Sequence, residues 1–223
     1  MQTMTIAIIG GTGNEGKGLA YRWSKAGHQV IIGSRKLDKA QNAVNEVLTF
    51  AGRALDVTGM ENPEAAAAAD VVVLTVPFTA HQATLESIKE ATQGKLFIDV
   101  TVPLVPPRVT KAQMPPAGSA LQEAKEILGE NVKVASAFQN ISHELLFNEA
   151  EIECDVLVCG EGKEVRGTVL QLVKDAGLIG WDAGPIENSM VVEGLTSILI
   201  GLNIKHKVHS AGIRLTGLPK ETE

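Results

Sequence analysis

Short, continuous apolar runs alternate with helical patterns along the chain. The runs, rich in Val, Ile and Leu, predict strands at 5–10, 29–33, 53–56, 71–76, 95–100, 132–137, 155–159 and 179–183. Between them, helical patterns lie at 16–26, 37–51, 63–69, 78–92, 119–128 and 163–176. Apolar strands without polar alternation are typical of a parallel sheet that is buried on both faces. The order of elements therefore predicts a doubly wound α/β fold.

A glycine-rich turn joins the first strand to the first helical pattern. It contains Gly11, Thr12, Gly13, Asn14, Glu15 and Gly16. Its glycines have the G-x-G-x-x-G spacing, in which one makes a tight turn, one lets the backbone approach a pyrophosphate and one allows close helix packing. The N-terminus of the helix offers free N–H groups and a positive dipole end to the phosphates. This context predicts a Rossmann fold that binds a dinucleotide.

The end of the second strand indicates which dinucleotide is bound. NAD-selective sites place a carboxylate about 20 residues after the glycine turn, where it binds the ribose 2′-hydroxyl. Here the strand at 29–33 is followed by Ser34, Arg35 and Lys36, with Lys39 close behind. A serine can donate a hydrogen bond to a 2′-phosphate, arginine can bind it with two N–H groups, and lysine adds a point charge. We therefore expect selectivity for NADP(H).

Composition and charge narrow the range of partners. The 223 residues are 44% hydrophobic and 21% charged, which is enough for a full core. A net charge of −6 argues against general nucleic-acid binding, which needs a basic face. The longest apolar stretch, 190–204, is interrupted by Glu193 and is too short to span a bilayer. We expect small-molecule coenzymes as partners, with neither nucleic acid nor membrane.

The cysteines and histidines do not form a metal-binding pattern. Cys154 and Cys159 have neither redox nor zinc spacing, so we expect buried thiols in a reducing compartment and a cytoplasmic protein. His206 and His209 could share a metal, but no carboxylate or cysteine accompanies them. The sequence therefore predicts no metal site.

The C-terminal part of the chain is expected to extend the Rossmann domain. We assign 1–150 to the NADP-binding Rossmann domain and 151–223 to a smaller helical or α+β region, which we expect to complete the deazaflavin site and to form a dimer contact. The last helix, predicted at 187–205, is rich in Val, Leu and Ile and has few charges. Such a helix needs a partner surface, either the last strands of the sheet or a second copy of the chain. This pattern favours a homodimer.

Three loops are predicted to form a composite site. In a doubly wound sheet the ligand lies off the carboxyl ends of the strands, so the residues directly after each strand are the informative ones. The loops that follow the fourth, fifth and sixth strands include Thr75–Gln82, Thr101–Pro107 and Phe138–His143. They combine prolines, apolar side chains and a few amides, and they hold no dense cluster of carboxylates. Such a lining suits a flat aromatic reactant that faces a nicotinamide.

Motifs along nearly the whole chain point to one family. They are Gly10–Asn14, Gly16–Gly18, Gly27 with His28, Gly33–Arg35, Thr58–Met60, Thr75–Pro77, Asp182–Pro185 and Asn188 with Ser189. Together they resemble the NADPH-dependent reductases of coenzyme F420, the F420H2:NADP+ oxidoreductases, which move a hydride between a deazaflavin and NADP. The early motifs are shared with other NADP-binding reductases, whereas the Asp-Ala-Gly-Pro segment is more specific.

The resemblance implies a role for each part of the composite site. The pyrophosphate would be held by Thr12–Glu15, and the 2′-phosphate by Ser34, Arg35 and Lys39. The nicotinamide side would be lined by Phe78 and Gln82, with Val76, Pro77 and Pro107 in the adjoining loops. The deazaflavin ring would meet Gln139, Asn140 and Ile141, with His143 nearby and closer to NADP. The implied cofactors are NADP(H) and, as second substrate, coenzyme F420.

Three residues depart from the pattern of the family that the chain resembles. Gln139 stands where relatives commonly have a histidine, Glu15 where they have a hydrophobic residue, and Met190 where an arginine occurs in some. A glutamine can still donate a hydrogen bond to a ring carbonyl, so we expect binding of the deazaflavin to survive this change.

The resemblance implies an enzyme, and two other functions stay open. Hydride transfer between stacked rings needs a short distance and exclusion of water, so we assign no catalytic acid or base. One alternative is an NADPH-dependent reductase of another acceptor, such as a flavin, a quinone or an imine, which Gln139 favours. The other is a nonenzymatic NADP sensor, against which the proline-rich loop at 101–107 and the amides at 139–140 argue.

Overall fold

The computed structural model describes residues 3–218, and it contains one mixed sheet with helices on both faces. The strands are β1 (Thr5–Ile9), β2 (Gln29–Ser34), β3 (Val57–Glu61), β4 (Val71–Leu74), β5 (Leu96–Asp99), β6 (Lys133–Ser136), β7 (Asp155–Gly160) and β8 (Ile179–Gly184). The α-helices are α1 (Asn14–Lys25), α2 (Leu37–Ala51), α3 (Asn62–Ala68), α4 (His81–Ile88), α5 (Ala120–Leu128), α6 (His143–Leu146), α7 (Gly162–Asp175) and α8 (Ser189–His206).

The order of the strands confirms the predicted doubly wound fold. The sheet runs β3-β2-β1-β4-β5-β6-β7-β8, and the first six strands are parallel. The order in which successive strands are added to the sheet reverses between β1 and β4, which creates the crevice where ligands bind in such folds. The glycine turn after β1 lies at that crevice.

The last two strands run against the first six. β6 pairs with β7 in the antiparallel sense, whereas β7 and β8 are parallel to each other. The connection from β6 to β7 contains only the short helix α6, so no crossover helix carries the chain back to the starting edge. This pairing joins the predicted regions 1–150 and 151–223 in one sheet, and the second is described as far as residue 218.

One predicted strand was misplaced. The segment 53–56 is not a strand, and β3 follows it at Val57–Glu61. Since β3 lies at the edge of the sheet, only Val57 of its residues is fully buried, and its polar side chains hid it from a search for apolar runs. The helix predicted at 78–92 is also shorter, because 3₁₀ turns at Phe78–Ala80 and Glu90–Thr92 flank α4.

The apolar core forms a layer on each face of the sheet. One layer includes Trp23, Val44 and Phe138, and the other includes Leu85 and Phe97. Helix α8 differs from the other long helices because several of its large apolar side chains are exposed. Within residues 3–218, no helix is long and apolar enough to cross a membrane.

Candidate active site

The three glycines of the G-x-G-x-x-G spacing at the β1–α1 turn lie in different environments. The Gly11 N–H donates to the carbonyl of Gly33 at 3.0 Å, which brings the turn beside the end of β2. A Cβ at Gly16 would lie 2.5 Å from the Gly11 Cα, so the helix can approach the turn only without a side chain there. A Cβ at Gly13, in contrast, would have nothing within 4 Å. The open space at Gly13 is where a pyrophosphate can approach the backbone.

The end of β2 carries the cations predicted to hold a 2′-phosphate. Ser34 is buried at the strand end, whereas Arg35, Lys36 and Lys39 are exposed. In the described part of the chain, none of these cations forms a salt bridge. Cations in the first turn of α2 oppose the helix dipole, so an anionic ligand would relieve an unfavourable placement.

A cleft of about 700 Å³ lies at the carboxyl ends of the parallel strands. It begins at the β1–α1 turn and continues along the loops after β4, β5 and β6. Of the residues that the sequence predicts for the site, it is lined by Gly13, Asn14, Glu15, Val76, Pro77, Phe78, Gln139, Asn140, Ile141 and His143. One continuous cleft therefore joins the predicted pyrophosphate turn to the predicted deazaflavin segment.

Other predicted residues lie outside the cleft lining. Gln82 is exposed on α4 and donates to Glu86 at 2.9 Å, and Pro107 is exposed beside Pro106, which does line the cleft. The turn residues Gly11, Thr12 and Gly16 are also outside the lining, as are Ser34, Arg35 and Lys39. Their roles in binding stay predictions.

The floor of the cleft follows β6. Phe138 has a positive φ of 72°, a conformation that a bulky residue rarely adopts, and its ring is buried against Trp23. This turn presents Gln139 and Asn140 to the cleft, and both side chains are about 95% buried. Strained backbone that tight packing holds in place is typical of functional sites.

The side-chain amides of Gln139 and Asn140, at the floor of the cleft, donate hydrogen bonds to the surrounding protein. Gln139 donates through Nε2 to the carbonyl of Asp99 at 2.9 Å, and Asn140 donates through Nδ2 to Val192 O and Thr196 Oγ1 at 3.0 Å each. One of the two N–H groups of the Gln139 amide is therefore used within the protein. The second N–H can still serve a ligand, so a role for Gln139 toward the deazaflavin stays a prediction.

A buried charged network lies behind the floor. His81 lies between Asp99, 2.7 Å from its Nε2, and Glu123, 2.8 Å from its Nδ1. Burial alone would lower the pKa of His81, but the charges of the two carboxylates and the hydrogen bonds to them raise it to about 9. The Asp99 side chain also accepts from the Thr101 N–H at 2.9 Å. A histidinium therefore holds the turn that lines one wall of the cleft.

Helix α8 places a further buried carboxyl group beside this network. It also supplies cleft residues that the sequence analysis did not identify. Glu193 is fully buried and accepts hydrogen bonds from the N–H groups of Ala120 and Leu121, at 2.7 and 3.2 Å, at the start of α5. Burial raises the pKa of Glu193 to about 8, although these bonds act in the other direction. The same helix lines the cleft with Thr196, Leu199, Ile200 and Asn203. The region 151–223 was expected to complete the site, but the apolar pattern of 187–205 did not indicate which side chains of α8 face the cleft.

The segment after α8, residues 207–218, covers one side of the cleft. Its His209 and Ala211 line the cleft, and the His209 carbonyl accepts from Ser142 Oγ at 3.2 Å. The Asp155 N–H donates to the Ile213 carbonyl at 2.7 Å, which attaches the segment to the start of β7. No periodicity in the sequence indicated this contact.

The Asp-Ala-Gly-Pro motif shapes the start of α8 rather than the cleft wall. Asp182 accepts from Arg166 Nε at 2.6 Å and from the Gly184 N–H at 2.9 Å. Asn188 donates to the Ala183 carbonyl at 2.6 Å, and Gly184 has a positive φ of 96°. Since α8 follows directly, the motif orients the helix that closes the site.

A Rossmann sheet with an open glycine turn at one end of a cleft defines a dinucleotide-binding protein. The family described as NADP oxidoreductase coenzyme F420-dependent matches residues 5–103. The F420-dependent NADP reductase of Methanocaldococcus jannaschii is 40% identical, covering 96% of this chain and 99% of that protein. The enzyme of the same name from Methanothermobacter thermautotrophicus is 42% identical, covering 99% and 98%. The chain belongs to the family of F420-dependent NADP reductases.

Solved structures support the fold. A protein from Arthrobacter sp. FB24 superposes with a TM-score of 0.77 at 23% identity, covering 92% of this chain and 96% of that one. The pyrroline carboxylate reductase of Plasmodium falciparum superposes at 0.58 and 15% identity, and this chain covers 68% of it. At such identities the likeness concerns the architecture alone.

Proposed function

We propose that this protein transfers a hydride between NADP(H) and the deazaflavin coenzyme F420 in the cleft. The observation that carries the proposal is the continuity of one cleft from Gly13 to the floor at Gln139–His143. Two coenzymes that react directly must share one site, because a hydride moves only between closely placed rings. Family membership names the two reactants.

The residues at one end of the cleft fit an NADP molecule. Gly13 leaves room for the pyrophosphate, and the N-terminus of α1 offers N–H groups and a positive dipole end. We assign the 2′-phosphate to Ser34, Arg35 and Lys39 at the end of β2, where the Gly11–Gly33 hydrogen bond brings turn and strand together. These groups hold the dinucleotide with its reactive end directed along the cleft.

The other end of the cleft fits a flat ring. Val76, Pro77 and Phe78 supply one wall, and Leu199 and Ile200 of α8 supply another. NADP(H) contributes the hydride chemistry when bound, so the protein's task is to orient both rings and exclude water. Apolar walls with a rigid amide floor suit that task.

We also propose a homodimer that is formed through α8, and a cytoplasmic location as the cysteines predict. Five large apolar side chains of α8 are between 40% and 66% exposed, namely Met190, Val191, Ile198, Leu202 and Ile204. An apolar face of this extent favours burial against another surface. The opposite face of α8 lines the cleft, so pairing there would stiffen the wall of each site.

Isotope transfer tests the proposed reaction. The protein is mixed with F420 and NADPH that carries deuterium at one C4 position, for each of the two C4 stereoisomers. We expect deuterium on C5 of the deazaflavin from one stereoisomer only, as detected by mass spectrometry. Reduction of F420 with no transfer from either stereoisomer would contradict direct hydride transfer.

A further inference from the structure

Glu15 places an unpaired carboxyl group in the cleft. It is the second residue of α1, it is only partly exposed, and it lines the cleft beside Gly13 and Asn14. Its Oε1 is buried and, within residues 3–218, has no hydrogen-bond partner. A buried carboxyl oxygen without a partner costs free energy, so the arrangement requires a reason.

No cation of the described structure compensates this carboxyl group. The neighbouring Lys17 pairs with Glu46 of α2, and Arg22 donates to backbone carbonyls of residues 145, 146, 148 and 176. Strands β1 and β2 carry no ionisable residue. The titratable groups that line the cleft with Glu15 are His143 of α6 and His209 of the C-terminal segment. Burial raises the pKa of Glu15 to about 8, with no opposing charge to lower it.

The position of this carboxyl group conflicts with an anionic ligand if the group is ionised. A dinucleotide pyrophosphate bound at the glycine turn carries two negative charges close to Glu15. An ionised carboxylate there would repel it, whereas a neutral carboxylic acid has an O–H group to donate. The two states of Glu15 therefore have opposite effects on the same ligand.

We propose that Glu15 recognises the dinucleotide as a neutral carboxylic acid, donating a hydrogen bond to the pyrophosphate region of NADP(H). The inference rests on the proposed function only in taking NADP(H) as the ligand. When Glu15 is ionised in the free protein, the solvent supplies the proton: carboxylate, H+ and NADPH combine to give the complex with the neutral acid. Binding therefore takes up one proton above the pKa of Glu15.

The protonation of Glu15 and the affinity for NADPH are linked in one direction. Well below pH 8 the acid is protonated, so Glu15 adds no pH dependence to the affinity for NADPH. Above pH 8 the apparent Kd rises, by up to about tenfold for each further pH unit, because the binding-competent state becomes rarer. Glu15→Gln keeps a donor of similar shape and cannot ionise. Residue 15 therefore no longer contributes to the change of the Kd for NADPH with pH.

The experiment measures NADPH binding, not turnover. The Kd is determined by fluorescence between pH 6.5 and 9.5 for the unaltered protein, for Glu15→Gln and for Glu46→Gln, a matched carboxyl-to-amide control outside the cleft. Calorimetry at pH 8.5 in two buffers of different ionisation enthalpy counts the protons taken up. The probe 2′-AMP, which has the 2′-phosphate but no pyrophosphate, serves as a ligand control.

We expect proton uptake with NADPH, but not with 2′-AMP, in the unaltered protein and in Glu46→Gln. Glu15→Gln should lose most of the uptake and bind NADPH at least tenfold more tightly than the unaltered protein at pH 9.5. An equal dependence of the Kd on pH in the unaltered protein and in Glu15→Gln would overturn the inference. The titration would then belong to other groups, such as His81 or Glu193. The calorimetry of the unaltered protein decides the matter even if the variant folds poorly, since absence of uptake at pH 8.5 also overturns it.

The experiments distinguish failure of the proposed reaction from failure of this inference. A protein that binds NADPH with the Glu15-dependent slope but does not reduce F420 supports the inference and contradicts the reaction. A protein that reduces F420 with no Glu15-dependent slope supports the reaction and contradicts the inference.

Discussion

At the scale of single residues, different glycines of the β1–α1 turn are expected to serve folding and ligand binding. Gly16 meets the backbone of Gly11 directly, whereas Gly13 faces open space. Both roles belong to the same G-x-G-x-x-G spacing, which correctly assigned one glycine to close packing; the approach of a ligand at Gly13 stays a prediction that its free space supports. The side-chain contacts of Gln139 could not be assigned in this way, because its partner Asp99 comes from a different strand.

Adding one methyl group at each of two glycines should separate these roles. Gly13→Ala should leave thermal stability nearly unchanged, because Gly13 has φ −74° and free space, and should raise the Kd for NADPH by about tenfold or more. Gly16→Ala should lower the free energy of unfolding by roughly 1–3 kcal/mol through overpacking. Equal effects of both substitutions on stability and binding, measured by denaturation and fluorescence titration, would contradict this division.

Arg35 is predicted to select NADP(H) over NAD(H). Arg35→Ala should raise the KM for NADPH on the order of 100-fold, through loss of a charge-assisted phosphate contact, with little change for NADH. Arg53→Ala, which removes an exposed cation beyond the far end of α2, is the matched control. If KM rises equally for both nucleotides, Arg35 does not bind the 2′-phosphate.

At the scale of elements, the long helices and buried strands followed from the sequence, but the short helix α6 and the contacts between distant elements did not. Periodicity located α2 and α7 almost to the residue, because each has one apolar face. It could not find β3, because the exposed edge position of that strand removes the apolar signal. It also could not predict that β7 runs antiparallel to β6. The buried network of His81 with Asp99 and Glu123 was also out of reach, since its members lie far apart in sequence.

The His81 network should make stability depend on pH. The pKa of His81 is about 9 in the fold and close to 6.5 in the unfolded chain, so the folded state binds the proton more tightly. The free energy of unfolding should therefore be highest below pH 6.5 with respect to this group and fall, on the order of 3 kcal/mol, as the pH rises to 9. The raised pKa of Glu193 acts in the same direction up to about pH 8.

Two histidine variants test this assignment. His81→Gln should be less stable at pH 7 and should lose much of the fall between pH 7 and 9 in urea denaturation. It should also raise the KM for the acceptor, because Asp99 supports Gln139. His28→Gln, which removes a buried histidine paired with Asp175, should reduce stability without changing the KM. Identical kinetic effects of both variants would contradict a positioning role for His81.

At the scale of the whole molecule, the sheet places one cleft where the order of its strands reverses, between β1 and β4, and α8 lines one side of it. The same helix presents an apolar outer face, so the proposed dimer would link the wall of the site and the assembly of the protein through one element. The fold class followed from the order of elements. A double use of the C-terminal region was expected from the sequence, but the residues involved depend on the orientation of α8, which follows a turn held by the hydrogen bonds of Gly184 to Asp182 and of Asn188 to Ala183.

The proposed dimer predicts a change of mass in solution. Ile198 is 56% exposed at the centre of the outer face of α8. Ile198→Glu would place a charge in the proposed interface, so light scattering at micromolar concentration should give a dimer for the unaltered protein and a monomer for the variant. Lys205→Glu, at the end of the helix, is the control for added negative charge. A monomer in every case would contradict the proposed assembly.

The most direct test of the account is reduction of F420 by NADPH. The purified protein is mixed with oxidised F420 and NADPH, and the loss of deazaflavin absorbance is followed, with NADH as competing donor and FMN as competing acceptor. We predict rapid bleaching of F420 with NADPH, at least tenfold slower bleaching with NADH, and little reduction of FMN. Tight binding of NADPH with no bleaching of F420 would contradict the account and would mean that the cleft accepts a different partner.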